Sequence, residues 1–191
     1  MSKFVVWMNE VGDYDCVLTD FEGLDNTFPL LAGTPLQETF PADARFSMNP
    51  DLPNNMLTPD SVQNTNMVIV ASERLAGFFR EQKVPYVEYL PVTIFDHKGK
   101  PIDGEFQIIH PVEPVDGLDL TDCEVEYSFI LPDQIESLRP LKLKEDDIPE
   151  DRVFFRCRGF ADRIFVRRSL AEAITQAGFT GIKWRELVDC R

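Results

Sequence analysis

Apolar residues fall in short runs along this chain, and their spacing separates strands from helices. Phe4-Val5-Val6-Trp7-Met8 is a continuous apolar run of strand length. Near the other end, Val153-Phe154-Phe155-Arg156-Cys157-Arg158 and Arg163-Ile164-Phe165-Val166 are β-branched and aromatic runs on either side of Gly159, which predicts a hairpin. Leu170, Ala173, Ile174 and Ala177 then recur at i, i+3, i+4 and i+7, the stripe of a helix with one buried face. Ser169 with Glu172 three residues later has the form of a capping box, Gly178 stands where a left-handed helix stop belongs, and Ile182-Lys183-Trp184 adds a short strand.

The middle of the chain carries weaker versions of the same signals. Met67-Val68-Ile69-Val70 reads as a buried strand, and Ser72 as the N-cap of a helix through Lys83 with Leu75, Phe78 and Phe79 turned inward. Tyr86 to Leu90 resumes extended structure, and Val92–Phe95 and Phe106–Ile109 flank a turn at Asp96–Gly99. Glu124 to Tyr127 alternates like a half-exposed strand, and Leu138, Leu141 and Leu143 mark one more extended or short helical piece. From Val11 to Thr65 periodicity is lost among Pro29, Pro35, Pro41, Pro50, Pro53 and Pro59, although Phe21, Phe28, Phe40 and Phe46 argue against disorder. The pattern predicts one α+β domain over 1–191, with a mostly antiparallel sheet, two main helices, a loop-rich part at 1–65 and an α+β core at 66–191.

Composition narrows the function classes. With 191 residues and 43% hydrophobic content the chain can bury a core without disulfides or metals. Cys16, Cys123, Cys157 and Cys190 lie far apart with no C-x-x-C pair, as expected of reduced intracellular thiols. No export signal or membrane-length apolar run stands out, so the expected location is the cytoplasm. The net charge of −14 is uneven. Residues 1–95 hold 13 acids and 5 bases, residues 96–151 hold 16 and 5, and residues 152–191 hold 4 and 9. Such a field repels nucleic-acid phosphates and anionic membranes and speeds encounter with a basic protein.

Catalytic signatures are sparse. The two histidines, His97 and His110, sit in no metal-binding or nucleophile motif, and His97 falls in a turn where a solvated ring is expected. Cys123 or Cys157 paired with His110 would make a nucleophile and base, which leaves a small hydrolase or transferase as one alternative. Asp116, Asp119 and Asp122 lack the alternating oxygens and closing glutamate of a calcium loop and read as a solvated acidic surface. Arg156 and Arg158 alternate on one strand face, with Arg163, Arg167 and Arg168 nearby. Together they form either a phosphate or nucleic-acid patch, which leaves a nucleic-acid-associated module as a second alternative, or an internal match for the acidic 96–151 segment, the latter favoured by the overall charge.

Three blocks give the chain a family likeness: Met67-Val68-Ile69-Val70-Ala71-Ser72-Glu73-Arg74-Leu75, then Phe106 through Asp119, and Val153 onward through the Ser169 helix to Gly178-Phe179-Thr180-Gly181-Ile182-Lys183-Trp184. In their order and spacing, over roughly 45–185, the chain resembles a family of bacterial polymorphic-toxin immunity proteins typified by a myxobacterial member, departing from it at His110 and Trp184. The resemblance implies a non-enzymatic, cofactor-free and metal-free cytoplasmic protein. It would bind a cognate toxin, often of the nuclease kind, encoded beside it. The acidic segment then becomes the expected contact surface for a basic toxin, carried by Asp116, Asp119, Asp122, Glu124 and Glu126. No nucleic-acid or membrane partner is expected, and self-association is left open.

Overall fold

Strands dominate the folded chain. The computed structural model describes residues 1–190. Their order is β1 (Phe4–Asn9), β2 (Val17–Glu22), α1 (Phe28–Ala32), β3 (Arg45–Met48), β4 (Ser61–Asn64), β5 (Ile69–Ser72), α2 (Glu73–Glu81), β6 (Val87–Phe95), β7 (Phe106–Pro111), β8 (Glu124–Tyr127), β9 (Ile135–Arg139), β10 (Phe154–Cys157), β11 (Phe160–Arg167), α3 (Arg168–Gln176) and β12 (Ile182–Arg185), with a 3-10 turn at Leu187–Asp189. Strand accounts for 37% and helix for 14%, and six strands close a barrel in the order β2-β3-β6-β7-β5-β4. This overturns the α+β expectation of one sheet with two main helices. The two helices are present, but each is nine residues long and packs on a mostly β body.

The segment expected to be loops supplies half of that barrel. β2, β3 and β4 all lie within 11–65, pairing β2 with β4 and β3 with β6 in parallel, while the remaining barrel pairs are antiparallel. Strands of four to six residues carry too few alternations to stand out among prolines, and their partners lie far along the chain. The barrel interior is filled by Leu18, Phe46, Met48, Val62, Val70, Leu90, Ile94 and Ile108, with Leu30 of α1 closing it. The outer face of β5 and β7 is apolar too. Ile69, Ala71 and Ile109 join Leu75 and Phe79 of α2 in a second core, so β5 is buried on both sides and its sequence shows no alternation.

A four-stranded sheet, β10-β11-β1-β12, covers that second core. β1 lies inside it, antiparallel to β11 and β12, and its successive side chains point to opposite faces. Val5 and Trp7 meet the barrel and the helices, and the Trp7 ring packs near Phe79 and Phe154 with centroids 6.2 Å away in each case. Phe4 and Val6 face a third core with Phe155, Phe165, Ile135, Leu138, Leu141 and Ile148. The β8–β9 hairpin is docked on this third core, on the side of the sheet away from the barrel.

Helix starts follow the strands that feed them. Ser72 is the N-cap of α2, its hydroxyl accepting from the Leu75 backbone N–H at 3.3 Å and donating to Asp60 at 2.8 Å. The capping box expected at Ser169 does not form. β11 stays extended through Arg167, the Arg168 N–H donates to the Lys3 carbonyl, and the helix begins at Arg168 with Ser169 exposed inside its first turn. Gly178 does stop α3 in the left-handed region at φ 68°.

Candidate functional site

The five acids expected to meet a partner lie between the end of β7 and the end of β8, and the fold gives them unequal freedom. Asp116 is exposed, with Oδ1 accepting from Arg158 Nε at 2.9 Å beside the β10–β11 turn. Asp119 closes a turn by accepting from the Thr121 backbone N–H at 3.0 Å, and that N–H, seconded by the Thr121 hydroxyl, holds its carboxyl below the ordinary aspartate value. Asp122 is exposed at φ 56°, and Glu124 and Glu126 project from one face of β8 while Val125 between them turns into the third core. Glu124 and Glu126 therefore share one acidic strand face, with Asp122 and Asp119 in the turn that leads into it and Asp116 held aside by Arg158.

The same hairpin carries residues that strand periodicity did not single out. β8 and β9 pair from Glu124 opposite Arg139 to Tyr127 opposite Ile135, joined by the loop at 128–134. The Ser128 N–H donates to the Gln134 carbonyl at 2.8 Å, and the Gln134 N–H to the Leu131 carbonyl at 2.8 Å. Around this framework Tyr127 and Leu131 are about half exposed, Ile130 is 84% exposed and Phe129 98%. The base is anchored, with the Ile135 N–H donating to the Gly159 carbonyl at 2.7 Å. Gly159, at φ 70°, lets the loop approach so closely that a Cβ there would sit 3.0 Å from the Asp133 carbonyl oxygen. One sequence signal was available. Phe129-Ile130-Leu131 is a run of large apolar side chains stopped by Pro132, within residues 122–136 that hold five acids and no base.

No hydrogen bond joins His110 to Cys123 or Cys157 among the described residues. The buried ring of His110 donates from Nε2 to the Thr34 carbonyl at 2.8 Å, since a carbonyl can only accept. Burial pushes the Cys157 thiol up to about 12, the opposite of an activated nucleophile. Cys123 Sγ contacts the carbonyl oxygens of Asp119, Thr121 and Pro140 at 3.2–3.4 Å. The ring of His97, expected in solvent, is half-buried, with both nitrogens shielded from water.

Nor do the arginines form one patch. Arg156 is 2% exposed and ties the sheet to the barrel, donating to the carbonyls of Ala161 and of Met67, the latter at 2.6 Å, while burial brings its pKa down to about 10. Arg158 lies beyond the end of β10 and faces solvent beside Asp116. Arg163 pairs with Asp162 at 3.2 Å, Arg167 donates to the Pro149 carbonyl at 3.1 Å, and Arg168 grips Glu186 with two bonds at 2.7 and 2.9 Å. Only Arg158 meets an acid of the 96–151 segment directly among these five.

Two further comparisons bear on the site. The model of a family described as "Immunity protein family (Imm11)" matches residues 9–189, which takes in the barrel, the sheet and the hairpin. No curated protein matches the chain.

Proposed function

Because the chain belongs to the Imm11 immunity protein family, we propose that it binds a cognate bacterial toxin and neutralises it inside the cell that makes both. The family match over residues 9–189 carries this reading. The toxin is a basic protein, most simply a nuclease, because an enzyme that handles a polyanion needs a positive cleft. A net charge of −14, concentrated in residues 96–151, supports that pairing by complementarity. The protein acts by occupancy, with no reaction of its own, and the acids at 116–126 steer the encounter.

A rescue experiment tests this. A candidate toxin domain, taken from the C-terminus of a large protein whose gene neighbours that of this chain in its source genome, is expressed in a sensitive host, alone and together with this chain. Survival restored by this protein, but not by an unrelated protein of equal negative charge, is the expected result. Killing that proceeds unchanged in its presence counts against the reading.

A further inference from the structure

Resting on that reading, we propose that the β8–β9 hairpin is the part that enters the toxin. Its apolar tip, Tyr127 with Phe129, Ile130 and Leu131, fills a hollow in the toxin domain, and the acids of β8 meet lysines and arginines around the rim. Exposed large apolar side chains are ordinary when scattered singly. Here four fall within the five residues that end β8 and open its loop, and Phe129 is almost fully in solvent. None of the four belongs to any of the three cores, whereas Val125, Ile135 and Leu138 anchor the base of the same hairpin. The apolar surface of Phe129 and Ile130, and about half that of Tyr127 and Leu131, is therefore free to be buried elsewhere.

Charge selects the occupant. Glu126, Asp133 and Glu136 flank the tip, Asp122 and Glu124 lie toward the base of the hairpin, and no base lies between 122 and 136, Arg139 opposite Glu124 being the first one after it. A second copy of this chain would bring two such acidic loops together, and like charges at an interface disfavour that pairing. An anionic lipid surface is repelled for the same reason. A basic protein with a concave site satisfies both features: the convex ribbon enters it, apolar contacts hold it, and the flanking acids replace the anionic groups the cleft is built to attract. Such a division assigns the two residue sets different kinetic effects. Tip residues in a desolvated pocket set the dissociation rate, and rim charges set the association rate.

The test is surface-binding kinetics of the intact protein on the purified toxin domain. Wild type is compared with Phe129→Ala/Ile130→Ala and with Glu124→Lys/Glu126→Lys, at low and high salt, alongside the thermal midpoint of each variant. The tip variant is expected to dissociate about 100-fold faster, with association and thermal midpoint unchanged. The charge variant is expected to associate several-fold more slowly at low salt, with the difference lost at high salt. Wild type that binds while the tip variant dissociates no faster overturns this proposal alone. Wild type that neither binds nor rescues overturns the toxin reading with it. The rival surface is a groove of about 790 Å³ lined by Glu10, Asp13, Asp15, Leu57, Pro59 and Phe179. Binding weakened by Leu57→Asp and untouched by the tip variant would place the interface there instead, and the hairpin proposal would be wrong.

Discussion

At single residues, backbone geometry and burial make sharper demands than residue type alone suggests. Gly181 opens β12 at φ 77°, and a Cβ there would lie 2.2 Å from the Ser61 carbonyl oxygen and 2.9 Å from Pro59. The neighbours are backbone and a proline ring, neither of which can turn away. Gly181→Ala is therefore expected to cost about 3 kcal/mol or more, lowering the thermal midpoint by about 6–12 °C. Gly99, also in the left-handed region at φ 69°, has nothing within 4 Å of its missing Cβ. Gly99→Ala should cost about 1 kcal/mol, the strain of the backbone alone. Equal losses from the two changes would show that the contact with Ser61 does not matter.

His110 makes a pH-dependent demand. Burial is the main cause that holds its pKa below the ordinary histidine value, and the Arg156 cation adds to it against the opposing pull of the Thr34 carbonyl and Glu88. Unfolded, the ring takes a proton near pH 6.5. Folded, it resists until lower pH, so below about 6.5 the unfolded chain binds more protons and gains at the expense of the fold. The stability held by neutral His110 is thus complete above pH 6.5 and declines as the pH falls toward the folded value. Urea unfolding at pH 7.5 and 5.5 should show a larger drop for wild type than for His110→Gln. Identical drops would assign the acid sensitivity to the carboxylates.

At the level of elements, legibility followed length and locality. The β10–β11 hairpin, the β6–β7 hairpin and both nine-residue helices were readable because each is a local pattern of one period. β2, β3 and β4 were not, because four to six residues between prolines give little periodicity and their pairings join distant parts of the chain. The acidic face of β8 was legible as composition. The apolar tip beside it was not, because periodicity identifies side chains that pack, and Phe129 and Ile130 belong to none of the three cores among the described residues. The two helix starts show what a local motif leaves out. Ser72 caps α2, whereas Ser169 is displaced into α3 because β11 and the Lys3 carbonyl claim the preceding residues. Ser72→Ala should therefore lose about 1–2 kcal/mol, and Ser169→Ala less than about 0.5 kcal/mol, by denaturant midpoint at constant m-value. Phe79 of α2 is a harsher case. It is fully buried and packs edge-on against Phe154 with centroids 5.1 Å apart, at the joint between barrel and sheet. Phe79→Ala should cost about 3–5 kcal/mol.

At the scale of the whole molecule, the charge asymmetry couples stability to binding through salt. The chain carries −14 in total, and residues 96–151 alone hold 16 acids against 5 bases. Self-repulsion in such a molecule works against its compact state, while the same field draws in a basic partner. Added salt screens both, with a Debye length of about 10 Å at 0.1 M. Raising the salt from about 0.05 to 0.3 M at pH 7 should therefore stabilise the free protein by about 1 kcal/mol, a rise of about 2–4 °C in thermal midpoint. Over the same range the association rate with the toxin domain should fall about tenfold. Reversing Asp122, Glu124 and Glu126 to lysine should flatten both responses, because it weakens the repulsion within the fold and the attraction toward the partner together. A variant that keeps the wild-type salt dependence of association would separate the steering field from the hairpin and locate it elsewhere on the acidic surface.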